Sequence, residues 1–219
     1  LPTGLWTGCA GNWVIDCTTC MLEKIKQLDT EAFLWLNGWH SPFWDDVMFG
    51  ITYKFTWFPF YALIIYLLAR KYRWQAVWMV LALVAIITLA DKTASAFFKP
   101  YFGRLRPCHE PAIQALVHNV GGCGGQFGFV SSHSANTFAL AMALWLLLRK
   151  EIKYVGYLFL WALLVSYSRI YVGVHYPLDL IGGAIIGMLQ AWLIVALYRW
   201  LMGKYGANRW NNKTNVRQL

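Results

Sequence analysis

Ser168-Arg169-Ile170-Tyr171-Val172-Gly173-Val174-His175-Tyr176-Pro177-Leu178-Asp179 lies between two strongly apolar runs, and its reading decides the rest of the chain. An Arg, a His and an Asp are costly beside lipid, so residues kept there mark functional positions. Pro177 favours a helix start. His175 and Asp179, four residues apart, can then face the same way. Asp179 can hold one imidazole nitrogen and leave the other free to attack, which is the orienting arrangement of a catalytic triad. Arg169 can grip a phosphate with two parallel hydrogen bonds. The same residues also fit an interfacial Arg–Asp pair with a bystander histidine, because buried ion pairs are often structural.

Two further stretches tip the balance: Lys99-Pro-Tyr-Phe-Gly-Arg-Leu-Arg106-Pro107 and Val130-Ser131-Ser132-His133. With the first, they resemble the three-part signature of the type 2 phosphatidic acid phosphatase (PAP2) superfamily. That signature is Lys-x6-Arg-Pro, then Pro-Ser-Gly-His, then Ser-Arg-x5-His-x3-Asp. The first and third parts stand here without departure. The middle part carries Val130 for Pro and Ser132 for Gly. Three dispersed motifs with fixed spacings are far more specific than one short pattern.

The resemblance implies roles. His175 attacks phosphorus and forms a phosphohistidine, oriented by Asp179. His133 protonates the leaving oxygen and then activates water. Lys99, Arg106, Ser131, Ser132 and Arg169 hold the phosphoryl oxygens. No metal and no cofactor are implied. Arg104, inside the x6 region, is assigned no certain role, with lipid headgroups as one contact. Asp91 ranks as a supporting residue near Lys99. Substrates of the resembling enzymes include undecaprenyl pyrophosphate, phosphatidylglycerol phosphate, phosphatidic acid and lipid A phosphates. Undecaprenyl pyrophosphate is the first expectation, with lipid A or phosphatidylglycerophosphate as alternatives. A lipid phosphotransferase using the same histidine also fits, and a non-catalytic transporter or scaffold fits least.

Composition agrees with a membrane setting. The 219 residues are 58% hydrophobic and 17% aromatic, with 13% charged, too apolar for an ordinary soluble domain. The net charge of +9 comes from loops between apolar runs, and no basic stripe interleaved with stacking aromatics suggests nucleic acid. The expected partners are the lipid bilayer and a membrane lipid phosphate; oligomeric state is not written in the chain.

Taken in order, residues 1–20 begin without Met and are rich in Gly, Thr, Cys and Trp, while Met21-Leu-Glu-Lys reads like a natural start. They are set aside as an extraneous segment. Residues 21–54 form an amphipathic region, expected as one or two interfacial helices, with Asp29 or Thr30 as a helix cap. A segment packed on the protein's own surface fits that pattern equally. Residues 55–203 form the catalytic domain, followed by a polar cytoplasmic tail over 204–219. The fold class is all-α, an integral membrane bundle of about five transmembrane helices: Phe55–Ala69, Trp74–Ala90 continuing toward Phe98, Ser132–Leu148, Tyr154–Ser168 and Pro177–Leu201. Gly183 and Gly187 form a Gly-x-x-x-Gly pair suited to close helix packing.

Arg70, Lys71 and Arg73, then Arg149, Lys150 and Lys153, then the basic C-terminal end should share one side. The positive-inside bias makes that side cytoplasmic. The signature parts then face the periplasm or cell exterior, in a bacterial inner membrane. Cys108 and Cys123 fall on that oxidising side and are expected to form a disulfide. Cys17-x-x-Cys20 lacks a redox-fold context and is discounted.

Overall fold

A computed structural model describes the backbone of residues 15–215 and the side chains of residues 19–204. The expectation that residues 1–20 are extraneous lies, for residues 1–14, outside the described residues. The described chain is helical, and its single β feature is an isolated antiparallel bridge between Leu105 and Phe127. The helices are α1 (Ile15–Asn37), α2 (Pro42–Thr52), α3 (Phe58–Tyr72), α4 (Gln75–Lys92), α5 (Lys99–Phe102), α6 (Ser132–Leu148), α7 (Leu158–Tyr171) and α8 (Pro177–Asn215).

The five apolar runs do become helices, but they differ in length. Gln75–Phe102 and Pro177–Lys204, 28 residues each, are long and apolar enough to cross a membrane. Pro42–Thr52 and Lys54–Tyr72, bent by 63°, make a third candidate if they form one broken span. Ser132–Leu148 and Val155–Tyr171 are apolar but shorter. The expected count of five spans is therefore not reached by length and composition.

The shortfall has a physical reason in α6. This helix is the axle of the bundle, ringed by α4, α7 and α8. Ala135, Ala139, Leu140, Ala141, Ala143 and Leu144 are all buried, so its length is set by protein neighbours. Its small residues let α8 come close. A Cβ at Gly183 would lie 2.6 Å from the Ser131 carbonyl oxygen, and one at Gly187 would collide with the Ala135 backbone. Without a hydrophobic driving force between helices in lipid, such close approach is what holds them together.

The amphipathic N-terminal region is α1 and α2, broken at Gly38–Ser41. Asp29 sits in the middle of α1 and does not cap it. The basic loops meet at one end of the bundle. Lys71 Nζ and the Tyr72 hydroxyl both reach Glu151 Oε2 at 2.5 Å, and Arg199 donates to the Leu146 carbonyl. The signature residues gather at the opposite ends of the same helices.

Candidate active site

The turn Val172–Tyr176 carries His175 between α7 and α8. Gly173 takes φ +78°, where an added Cβ would lie 2.6 Å from the His118 carbonyl oxygen, so glycine is required there. His175 is 1% exposed and Asp179 is fully buried. His175 Nδ1 lies 3.4 Å from Asp179 Oδ2. That oxygen also accepts the Tyr176 N–H at 3.0 Å, which fixes the carboxylate against the start of α8. The separation is long for a hydrogen bond, as is common before substrate binds. It assigns Nδ1–H to Asp179 and leaves Nε2 with its lone pair. Burial, helped by the charges of Arg169, Arg106, Lys99 and Arg104, pushes His175 well below its ordinary value of 6.5. The ring is therefore neutral at neutral pH, as a nucleophile must be.

The first signature stretch reaches this turn through a π turn. Thr93–Phe98 winds as π-helix between α4 and α5, a local defect frequent at functional sites. Lys99 follows it directly. Its ammonium makes no hydrogen bond among the described residues and lies within electrostatic range of Arg106, Asp91, Arg169 and Asp179. Past α5 the chain pairs with the outer loop. Gly128 N–H donates to the Arg104 carbonyl at 2.8 Å, and Arg106 N–H to that of Gln126 at 3.1 Å. Below that short ladder, Cys108 and Cys123 are joined in a disulfide, with Cα atoms 6.0 Å apart. The closed loop aims Arg106. Its Nη1 donates to the Cys123 carbonyl at 2.6 Å and its Nε to that of Phe127 at 3.2 Å. Burial lowers the Arg106 pKa from its ordinary value, though a guanidinium stays charged.

Arg169, in the last turn of α7, donates from Nη1 to Thr52 Oγ1 at 2.6 Å, while its buried Nε has no partner. His133 lies one residue into α6, within electrostatic range of His175, Arg169, Lys99 and Arg106. Its ring makes no hydrogen bond among the described residues. Ser131 is the N-cap of α6 without a side-chain capping bond, so first-turn N–H groups remain open to an anion. Ser131 itself is committed elsewhere. Its N–H donates to the Asp179 carbonyl at 3.0 Å, and its hydroxyl is buried without a partner. Ser132, at the first helical position, is the better placed donor of the two.

Arg104 departs from the lipid-headgroup expectation. It donates from Nη1 to Asp179 Oδ1 at 3.0 Å and from Nη2 to Asp29 Oδ2 at 2.7 Å. Its guanidinium stacks on Tyr176, 3.9 Å from the ring centroid. Asp91 accepts from Asn136 at 3.4 Å and lies within electrostatic range of Lys99. Three residues at the site escaped the sequence reading: Asp29, Asn37 and Gly128. A Cβ on Gly128 would lie 3.1 Å from Asp179 Oδ2 and 3.6 Å from His175 Nδ1. Its place in a glycine-rich connector hid it. Cys108, His109 and Cys123 cluster closely enough to suggest metal ligands, but the disulfide uses both sulfurs and leaves His109 alone.

A buried histidine backed by a carboxylate, a second histidine and several convergent cations define a site for phosphoryl transfer. The PAP2 superfamily model matches residues 75–202. A lipid A 4'-phosphatase from Bacteroides thetaiotaomicron is 46% identical over 176 residues, covering 79% of this chain and 78% of that protein. A lipid A 4'-phosphatase from Porphyromonas gingivalis is 33% identical, covering 86% and 78%. Among solved structures, Aquifex aeolicus LpxE superposes with a TM-score of 0.59 at 25% identity, covering 77% of this chain and 95% of that one. Proteins named undecaprenyl-diphosphatases match at lower identity, 30% for one from Sulfolobus acidocaldarius. The chain belongs to the PAP2 superfamily. It is an integral membrane lipid phosphatase, a hydrolase of phosphate esters.

Proposed function

We propose that this phosphatase removes phosphate from lipid A, or a closely similar acylated phosphosugar, through a phosphohistidine on His175. The carrying observation is the buried His175 backed by Asp179, with Lys99, Arg106 and Arg169 within electrostatic range. The substrate preference reverses the sequence expectation. The relatives at 46% and 33% identity are named lipid A 4'-phosphatases, while the undecaprenyl-diphosphatase names belong to more distant matches. Undecaprenyl pyrophosphate becomes the second candidate.

The chemistry follows from the arrangement. Lys99, Arg106, Arg169 and the open start of α6 take the phosphoryl oxygens and the charge that builds on them. His175 Nε2 attacks phosphorus, and the P–O bond to the sugar breaks. His133 gives that oxygen its proton. Asp179 supports the cationic imidazole through Nδ1–H. Water then enters, His133 takes its proton, and the P–N bond breaks to free phosphate and His175. The fixed cations supply the positive charge that a metal would otherwise bring.

We place the site on the periplasmic face of a five-span inner-membrane protein. The meeting of the basic loops at the far end of the bundle supports that orientation. Phosphate release from purified protein tests the reading with lipid A bisphosphate, undecaprenyl pyrophosphate and phosphatidylglycerol phosphate. Lipid A bisphosphate should give the highest kcat/KM, and excess EDTA should leave it unchanged. Loss in EDTA restored by magnesium would refute the metal-free mechanism; a clear preference for undecaprenyl pyrophosphate would refute the substrate.

A further inference from the structure

Helix α1 lies outside the residues that the family model matches, yet it braces the His175 turn from both sides. Asn37, at its C-terminal end, is 1% exposed. Its Nδ2 donates to the Ile170 and Tyr171 carbonyls at 3.0 and 2.8 Å. The Ile170 carbonyl also accepts the Gly173 N–H at 3.0 Å, so Asn37 ties α1 to the turn that ends α7. Asp29, two turns earlier, does the complementary job for α8. Tyr176 precedes Pro177 at the start of α8 and has no side-chain acceptor suited to capping. Asp29 Oδ1 supplies one from another helix, accepting the Leu178 N–H at 2.9 Å. Phe33 lies between the two contacts, fully buried and edge-on to Tyr176 with ring centroids 5.4 Å apart.

The second oxygen of Asp29 bears on the chemistry. A guanidinium beside a lone carboxylate favours a two-pronged pairing with both oxygens. Here Arg104 spends one prong on Asp29 and one on Asp179. Asp179 therefore gives Arg104 only Oδ1, and Oδ2 stays with His175 and the Tyr176 N–H. The Tyr176 ring beneath the guanidinium holds its plane.

We propose that Asp29 is a positioning residue for the phosphoryl-transfer site: by holding one prong of Arg104, it reserves Asp179 Oδ2 for His175. The membrane-surface helix is then part of the catalytic unit, although Asp29 touches neither substrate nor reacting atom. This rests on His175 and Asp179 being the reacting pair.

The test uses the full chain in detergent, with lipid A bisphosphate and para-nitrophenyl phosphate as probes. Asp29→Asn keeps an acceptor for the Leu178 N–H but turns an amide toward Arg104. Its kcat should fall about ten- to hundredfold, the usual scale for losing a partner that orients a reacting group. Apparent KM should stay within about threefold, because Lys99, Arg106 and Arg169 still hold phosphate. Lysine cannot fork onto Asp179. Asp29→Asn combined with Arg104→Lys should therefore turn over faster than Asp29→Asn alone, a rescue that damage to folding would not produce.

Wild-type kcat in Asp29→Asn would overturn the proposal, as would a double variant no faster than the single one. So would a kcat loss matched by the loss of folded protein on size exclusion. If Asp29→Asn is not recovered folded, Arg104→Lys decides alone. Because lysine cannot fork onto Asp179, a kcat loss smaller than about tenfold, the least expected for Asp29→Asn, supports the positioning role, whereas a larger loss, or a raised KM as for a substrate contact, overturns it. His175→Ala run alongside separates the premises. Turnover by that variant removes the reacting pair itself, whereas its silence beside an unimpaired Asp29→Asn removes only the positioning role.

Discussion

The two ends of the bundle carry the same kinds of side chain to opposite effect. At one end Arg70, Lys71, Arg73, Arg149, Lys150 and Lys153 are exposed, and the ion pair there, Lys71 with Glu151, lies on the surface. At the other end Lys99, Arg104, Arg106 and Arg169 are half-buried. The three arginines are each aimed by a named acceptor: carboxylates for Arg104, carbonyls for Arg106 and the Thr52 hydroxyl for Arg169. The first set is open to water, where charges contribute little to stability. The second set is partly withdrawn from water, and its arginines are held in direction. A phosphate arriving there meets charge that needs no reorganisation, which is where electrostatic catalysis gains most. Cationic residues alone do not make the site; desolvation and fixed direction do.

The comparison breaks first at the nucleophile. His175→Ala should reduce turnover on the order of 10⁴-fold, the scale seen when one member of a concerted set is removed. His133→Ala should match it on lipid substrate; with para-nitrophenyl phosphate, whose leaving group needs no proton, only the first phosphorylation should be spared and steady turnover should stay low. Near-normal phosphate release by His175→Ala would end the account. Next comes Arg106→Ala, expected to cost about 10²- to 10³-fold in kcat/KM, as for loss of one preorganised donor to a developing charge.

Cys108→Ser with Cys123→Ser probes how Arg106 is aimed. Opening the loop should weaken kcat/KM by about tenfold through misplacement of that guanidinium. In the chain-entropy model, a closed loop of about 15 residues contributes roughly 3 kcal/mol, so melting should also fall. Unchanged kinetics would mean that the short ladder suffices without the disulfide. At the opposite end, Lys71→Ala and Glu151→Gln should leave turnover and melting within error. If either cost as much as Arg106→Ala, the contrast between the two ends would not hold.

Much of this was legible in the chain. His133, His175 and Asp179, the cations around them, and the Cys108–Cys123 pair all lie in or between fixed-spacing motifs, and spacing is what a sequence displays. What it hides is the destination of a side chain that leaves its own element. Asp29 reads locally as a cap for α1, yet it caps α8, 149 positions away. Arg104 lies two residues from Arg106 and reads as a lipid-headgroup contact, until carboxylates 75 positions off on either side claim it. The apolar helices are ambiguous in the same way. Both α3 and α6 are strongly apolar, but α6 is interior and α3 exposes Leu63, Ile65, Tyr66 and Leu67. The clue was residue size: alanines crowd α6, because small residues let neighbours close in.

The central claim is that His175 carries the phosphoryl group. Rapid quench of His133→Ala with ³²P-labelled para-nitrophenyl phosphate, in excess EDTA, tests it most directly. This variant lacks the group that activates water, so the intermediate should accumulate. A burst of nitrophenol should appear with an acid-labile, alkali-stable label on the peptide containing His175. A label on another residue, or turnover with neither burst nor label, would contradict it.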